Sequence, residues 1–198
     1  MKPYWVRAAE FCGITPDAHQ IEQMGLYENW LSTEGVIAGG IGPAESDRLD
    51  LRHLADSVLF VSQLPDETSE VWDLGSGVGL PGIPMAICLP EVVFTLIDRA
   101  GRRIDLMKRA IRILDLGNCR VMQRDIHTLD AENEVIVSRA SLPPDRLADL
   151  VRPLLAPGGR AVVAGSWEQK PDAQDWEVRE IPPDVLDQTV WLLIMRRE

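Results

Sequence analysis

A chain of 198 residues, 45% hydrophobic and 26% charged, can bury a substantial core in one domain and needs no second one. Its 31 acidic and 20 basic residues leave a formal net charge of −11, which argues against nonspecific nucleic-acid binding while leaving room for a local basic patch. Cys12, Cys88 and Cys119 are odd in number and widely spaced, and with His19, His53 and His127 they offer neither a disulfide framework nor metal-ligand spacing; the apolar runs are far short of the roughly 20 residues a membrane span needs, so the expectation is a soluble cytoplasmic monomer without metal.

In chain order, Thr15-Pro16-Asp17 predicts a helix start, with Thr15 as N-cap and proline at the first helical position, and a helix running to about Ser32. Gly35 to Gly42 reads as a loop. Ser46 is placed to cap a second helix through Leu49, Leu51, Leu54, Val58 and Leu59. From Val71 onward strand and helix signals alternate: strands near 70–74, 92–97, 119–123, 134–138 and 160–165, helices near 82–89, 101–116 and 145–155. Gly117 is expected to end the long middle helix, and Ala156-Pro157-Gly158-Gly159 to turn into the fifth strand. Residues 176–181 and 189–195 read as an antiparallel hairpin at the sheet edge. The chain thus divides into a helical extension over 1–65 and an α/β domain over 66–198.

The most informative stretch is Val71-Trp72-Asp73-Leu74-Gly75-Ser76-Gly77-Val78-Gly79-Leu80-Pro81-Gly82, followed by Phe94-Thr95-Leu96-Ile97-Asp98. An apolar strand ending in an acid, a glycine-rich turn, and a second strand ending in an acid describe a nucleoside site at the carboxyl edge of a parallel sheet. Gly77 to Gly82 also fits G-x-G-x-x-G, the dinucleotide fingerprint, so NAD remains a competitor. Against it, Asp73 precedes the first glycine by two residues, and Pro81 and Pro84 crowd the start of the helix that the fingerprint requires. The order D-x-G-x-G-x-G plus a strand-end acid instead resembles motif I of class I S-adenosylmethionine-dependent methyltransferases.

The resemblance narrows when further motifs are added. Arg52-His53-Leu54-Ala55-Asp56-Ser57, the glycine stretch through Ile83-Pro84, Leu96-Ile97-Asp98-Arg99-Ala100-Gly101-Arg102-Arg103 and Ser138-Arg139-Ala140 occur in that order. Together they are similar to the bacterial ribosomal RNA small-subunit methyltransferase G family, also called glucose-inhibited division protein B, over about residues 20–165. The resemblance implies a class I fold, a Rossmann-like doubly wound sheet with a C-terminal antiparallel hairpin. It also implies S-adenosylmethionine as cofactor and methylation of guanine N7 in 16S ribosomal RNA of the small subunit. By that resemblance Asp73, Gly75, Ser76, Gly77, Gly79, Leu80, Asp98, Arg99, Asp125, Ile126 and Arg139 hold the cofactor, with Asp98 on the ribose hydroxyls. Arg139, His53 and Asp56 are the candidates for substrate contact and catalysis. His53 and Asp56 share a helix face; an anchor bonded to a loop is the competing reading for them, as an ion pair is for Arg139. In the middle helix Ile104, Met107, Ile111 and Leu114 read as core, leaving Lys108, Arg109 and Arg112 as a solvated face or an RNA contact.

The chain also departs from the family. Glu34 to Gly39 stands where an Asn-Leu-Thr element is usual, Ala164-Gly165-Ser166 where Lys-Gly is usual, and Arg124-Asp125-Ile126 where Arg-x-Glu is usual. These changes bear on RNA recognition more than on the cofactor. A methyltransferase acting on a small molecule or other RNA, or a noncatalytic S-adenosylmethionine-binding protein, are therefore the alternatives.

Overall fold

The computed structural model describes residues 2–139, 142–167 and 169–198, except for the side chains of Pro43 and Ser46. It begins with α1 (Tyr4–Phe11), which local sequence signals do not announce. The reason is that its cap is tertiary: the Asp50 carboxylate accepts from the Tyr4 and Trp5 amides at 2.7 and 2.9 Å. Helix α2 (Ala18–Trp30) is capped by Asp17 and not, as expected, by Thr15. Asp17 and Gln20 exchange side-chain bonds to each other's backbone N–H at 2.8 and 2.9 Å, a reciprocal box that leaves Pro16 outside the helix. A π-helical turn, Leu31–Gly35, then carries the coil further than expected, into the segment read as a loop.

The second predicted helix is broken into short pieces: a 3-10 segment Pro43–Arg48, a π segment Asp50–Ala55, α3 (Asp56–Val58) and a 3-10 turn Leu59–Gln63. Ser46 falls inside the first piece instead of capping a helix, and its side chain lies outside the described residues. Further along, the Ser57 and Ser62 hydroxyls donate to the carbonyls of His53 and Leu59 at 2.6 and 2.7 Å, competing with regular helix bonding.

The sheet has seven strands, joined by four further helices: β1 (Glu70–Leu74), α4 (Gly82–Cys88), β2 (Val93–Asp98), α5 (Gly101–Ile113), β3 (Cys119–Gln123), β4 (Asn133–Ser138), α6 (Pro144–Val151), β5 (Leu155–Ala164), β6 (Glu177–Ile181), α7 (Pro183–Leu186) and β7 (Val190–Arg196). The spatial order is β3-β2-β1-β4-β5-β7-β6. β1 to β5 run parallel, and β7 inserts antiparallel between β5 and β6, which gives the expected C-terminal hairpin.

Both sheet faces are buried, because successive side chains along a strand alternate between them. Val71, Phe94, Leu96, Val135, Val137 and Val162 face a core built with the N-terminal helices, α4 and α5. Trp72, Leu74, Ile97, Ile136, Ala161 and Val163 face a second core built with Leu147, Ala148 and Val151 of α6. Helix α5 buries Ile104 and Met107, and Leu114 at its C-cap, as expected; Ala110 is buried as well, whereas Ile111 is only half-buried, and the helix does not end on Gly117. Asp115 takes the left-handed conformation there at φ 51°, a position an aspartate tolerates. Ala156 to Gly159, expected as a turn, lie within β5, where the register with β4 shifts and Gly158 and Arg197 hydrogen-bond across.

The three cysteines are unpaired, and burial pushes each thiol up to about 12. Among the described residues no helix is long and apolar enough to cross a membrane, and no group of His, Cys, Asp or Glu could hold a metal ion.

Candidate functional site

β1 pairs with β2 on one side and β4 on the other, so strand order reverses at β1 and opens a crevice beyond its carboxyl end. The chain leaving β1 turns across the end of β2, where the Gly75 and Ser76 amides donate to the Ile97 carbonyl at 2.9 and 3.1 Å. Gly77 and Gly79 have φ of 66° and 105°, a region that side-chain-bearing residues avoid. At Gly79 space is also closed: a Cβ would sit 2.3 Å from Ile83 Cδ1. Replacing Gly79 by Ala is expected to destabilise the fold by about 1–3 kcal/mol through strain and crowding, measurable by urea unfolding. The Tyr27 hydroxyl donates to the Val78 carbonyl at 3.0 Å and ties the loop to α2.

Two strand-end acids brace this loop from opposite sides. Asp73 is fully buried; its Oδ2 accepts from Ser76 Oγ at 2.6 Å and from the Gly82 amide at 2.9 Å. Its other oxygen, Oδ1, is buried without a partner, and burial pushes the carboxyl up to about 6 against the bonds from Ser76 and Gly82. Asp98 is 4% exposed and accepts from the Gly77 amide at 3.1 Å, the Ala100 amide at 2.9 Å and Arg103 Nη1 at 3.3 Å.

Beside Asp98 lies a cleft of ≈ 320 Å³. Of the residues expected to hold a cofactor, Gly75, Asp98, Arg99, Asp125 and Ile126 line it. Asp125 accepts from the His127 amide at 3.0 Å, and its Oδ2 lies 3.9 Å from Arg99 Nη1. Asp73, Ser76 and Leu80 are sealed beneath the loop, and Gly77 and Gly79 shape it. The structure adds Arg103, Arg124, His127 and Leu142 to the lining. Arg103 was legible as a helix-start cation five residues after Asp98, whereas nothing local marks Leu142. Carboxylate acceptors at the end of β2 and just after β3, beside a glycine turn, suit the hydroxyl and amine donors of a nucleoside.

Arg139 emerges from the end of β4 at the same sheet edge but turns toward the N-terminal helices. Its Nη1 donates to Asp56 Oδ2 at 3.2 Å and to the Arg52 carbonyl at 3.0 Å, and its Nη2 meets His53 Nδ1 at 3.0 Å. The three candidate substrate residues are therefore one cluster. Trp167 Nε1 donates to the other Asp56 oxygen at 3.0 Å, and Arg52 stacks over the Trp167 ring at 4.3 Å. Sequence reasoning missed this brace, because Trp167 lies 111 residues from Asp56. Burial raises the Asp56 carboxyl, with Arg139 the main opposing influence. Ala140, the last residue of the Ser138-Arg139-Ala140 motif, lies outside the described residues.

His53 accepts from Arg139 at Nδ1, so its proton resides on Nε2, which faces Glu45 Oε2 at 3.6 Å without a hydrogen bond. Burial, then Arg139 and Arg52, lower its pKa to about 4, so the contact with Glu45 is not an ion pair at neutral pH. A folded value below the ordinary one means that the stability from neutral His53 is full above about pH 6.5 and is lost as pH falls toward 4. Imidazole NMR shifts of His53 should stay flat from pH 8 to about 5.5; a midpoint near 6.5 would contradict this environment.

At Gly165, in the Ala164-Gly165-Ser166 stretch where Lys-Gly was expected, a Cβ would stand 2.5 Å from the Trp191 carbonyl oxygen, so no larger residue fits this backbone.

This sheet order, with a glycine turn between strand-end acids, defines the class I S-adenosylmethionine-dependent methyltransferase fold. Magnesium protoporphyrin IX methyltransferase from Synechocystis, whose structure holds bound S-adenosylmethionine, superposes with a TM-score of 0.57 at 14% identity, covering 89% of this chain and 97% of that one. Ribosomal protein L11 methylase from Lactobacillus delbrueckii gives a TM-score of 0.57 at 14% identity over 74% and 80%. The family model of rRNA small subunit methyltransferase G matches residues 20–179, and the chain belongs to that family. It is 35% identical over 165 residues to the Mycobacterium marinum ribosomal RNA small subunit methyltransferase G, covering 81% of this chain and 70% of that protein. The namesake from Acidothermus cellulolyticus is 38% identical over 133 residues, covering 67% of this chain and 60% of that protein. The matched stretch thus leaves part of each relative's length uncovered.

Proposed function

We propose that this chain transfers a methyl group from S-adenosylmethionine to N7 of a guanosine in 16S ribosomal RNA. The observation that carries the reading is the glycine loop braced by Asp73 and Asp98 beside a nucleoside-sized cleft at the strand-order reversal, in a member of this family. Asp98 is the acceptor for the ribose hydroxyls and Asp125 for the adenine amine. Gly75, Ser76, Gly77, Gly79 and Leu80 bring backbone close to the ligand, Asp73 fixes that backbone, and Arg99 and Ile126 flank the nucleoside. S-adenosylmethionine supplies an electrophilic methyl on a sulfonium centre.

Guanine N7 carries a lone pair and no proton, so the site needs no general base. That agrees with His53, whose Nδ1 is committed to Arg139. The work of the chain is then to orient and exclude water, holding nucleophile and methyl in line. We assign to Arg139, fixed by Asp56 and His53, the holding of the guanine O6 edge or a neighbouring phosphate, and the target base must leave its stack to reach it. The enzyme acts in the cytoplasm, as a monomer, on the small subunit or its RNA.

The test is transfer of radiolabelled methyl to small-subunit particles that lack the modification, with the product nucleoside identified. Labelled 7-methylguanosine is the expected result. Cofactor binding without label on any ribosomal RNA would overturn the reading in favour of a noncatalytic binding protein or another substrate.

A further inference from the structure

Charge on this chain is distributed unevenly. Residues 99–124 hold eight Arg or Lys against two Asp, a local net of +6 in a chain of net −11. Arg102, Lys108 and Arg112 are exposed and make no ion pair with a described residue, while Arg109 shares one nitrogen with Glu34 at 2.8 Å. Arg102, Asp105, Leu106 and Arg109 are spaced to fall on one stripe of α5. They form one wall of a groove of ≈ 620 Å³, and Glu34, Ile37 and Ala38 form the other. Ile37 is 82% exposed, far above the other large apolar side chains exposed among the described residues.

The groove borders the cofactor cleft. Arg102 lines the groove while its neighbour Arg103 lines the cleft and reaches Asp98, so the first turn of α5 separates the two. Two residues past Ala38 of the other wall, Gly40 rests on the glycine loop so closely that a Cβ would stand 2.0 Å from Val78 Cγ1. An exposed apolar side chain facing Arg102 and Arg109 across a groove suits an unpaired nucleotide, whose base packs on apolar and guanidinium surfaces and whose phosphate takes charge-assisted bonds from arginine. The acidity of the rest of the chain would confine RNA to this strip by repulsion.

We infer that the groove between α5 and the Glu34–Ala38 turn holds the single-stranded RNA segment flanking the methylated guanosine. This inference rests on the ribosomal RNA reading above. The test compares two double substitutions that remove the same charge: Arg102→Ala with Arg109→Ala in the groove, and Arg146→Ala with Lys170→Ala at exposed positions outside it. Affinity for unmodified 16S RNA is measured by fluorescence anisotropy across a salt series, and S-adenosylmethionine affinity by calorimetry. The groove variant is expected to bind RNA at least tenfold more weakly, with the slope of log affinity against log salt reduced by about 1.4, two phosphate contacts at about 0.7 each. The control stays within about twofold of wild type, and cofactor affinity is unchanged in both. Ile37→Ser should weaken RNA binding without changing the salt slope, because it removes packing and no charge. A groove variant indistinguishable from the control, in a wild-type background that methylates RNA, overturns the groove alone. Wild-type protein that neither binds nor methylates 16S RNA overturns the groove and the proposed function together.

Discussion

Replacing Asp98 by Ala is expected to lower S-adenosylmethionine affinity by two orders of magnitude or more. A carboxylate that accepts from two ribose hydroxyls contributes on the order of 1.5–3 kcal/mol per bond, and each 1.4 kcal/mol is tenfold in affinity. The structural loss adds to this, since Asp98 also fixes the Gly77 and Ala100 amides and so holds the loop over the end of β2. Asp98→Asn separates the two contributions: it keeps an oxygen for a backbone amide but loses the charge. Arg103 lies on Asp98 at 3.3 Å with half its side chain exposed, so it can swing aside for a ligand, and Arg103→Ala should change affinity by less than about threefold. Calorimetry on the three variants decides the matter. Wild-type affinity in Asp98→Ala would sink the ribose assignment.

Replacing Asp56 by Ala costs about 3–5 kcal/mol of stability, because it strands a buried guanidinium. The Arg139 and Asp56 side chains are only 14% and 7% exposed, and Trp167 Nε1 would lose its acceptor in the same step. Removing both partners should cost less than the sum of the single changes, since no uncompensated charge remains. Urea denaturation of Asp56→Ala, Arg139→Ala and the double variant provides the cycle; a loss under about 1 kcal/mol for Asp56→Ala would mean that water reaches the pair. Arg139→Ala separates structure from chemistry. Under the proposed role it lowers methyl transfer while S-adenosylmethionine affinity holds, and unaltered transfer would remove Arg139 from the substrate site.

Much of the α/β portion was legible because its signals are local. Apolar runs set β1 to β4 closely, with the β1 and β3 boundaries as expected, whereas β5 (Leu155–Ala164) starts well before the expected residue 160 because the Ala156–Gly159 stretch read as a turn belongs to it. The glycine turn was legible for the same reason: positive φ and the absence of Cβ room at Gly79 demand glycine whatever lies far away in the chain. The helical extension was less legible. Helix α1 depends on Asp50 as a cap about 45 residues distant, and the stretch from Pro43 to Gln63 mixes π and 3-10 turns where the apolar spacing suggested one helix.

By itself, then, the sequence determined a parallel sheet with a glycine loop between Asp73 and Asp98, and its four motifs determined the family resemblance, because backbone conformation and strand-end chemistry are written in neighbouring residues. Only the tertiary structure decided that Arg139, His53 and Asp56 form one braced cluster with Trp167, that Gly165 admits no side chain, and that the arginines of α5 meet Ile37 across a groove. Each of those depends on segments far apart in the chain, brought together when the apolar faces of the N-terminal helices bury against the sheet.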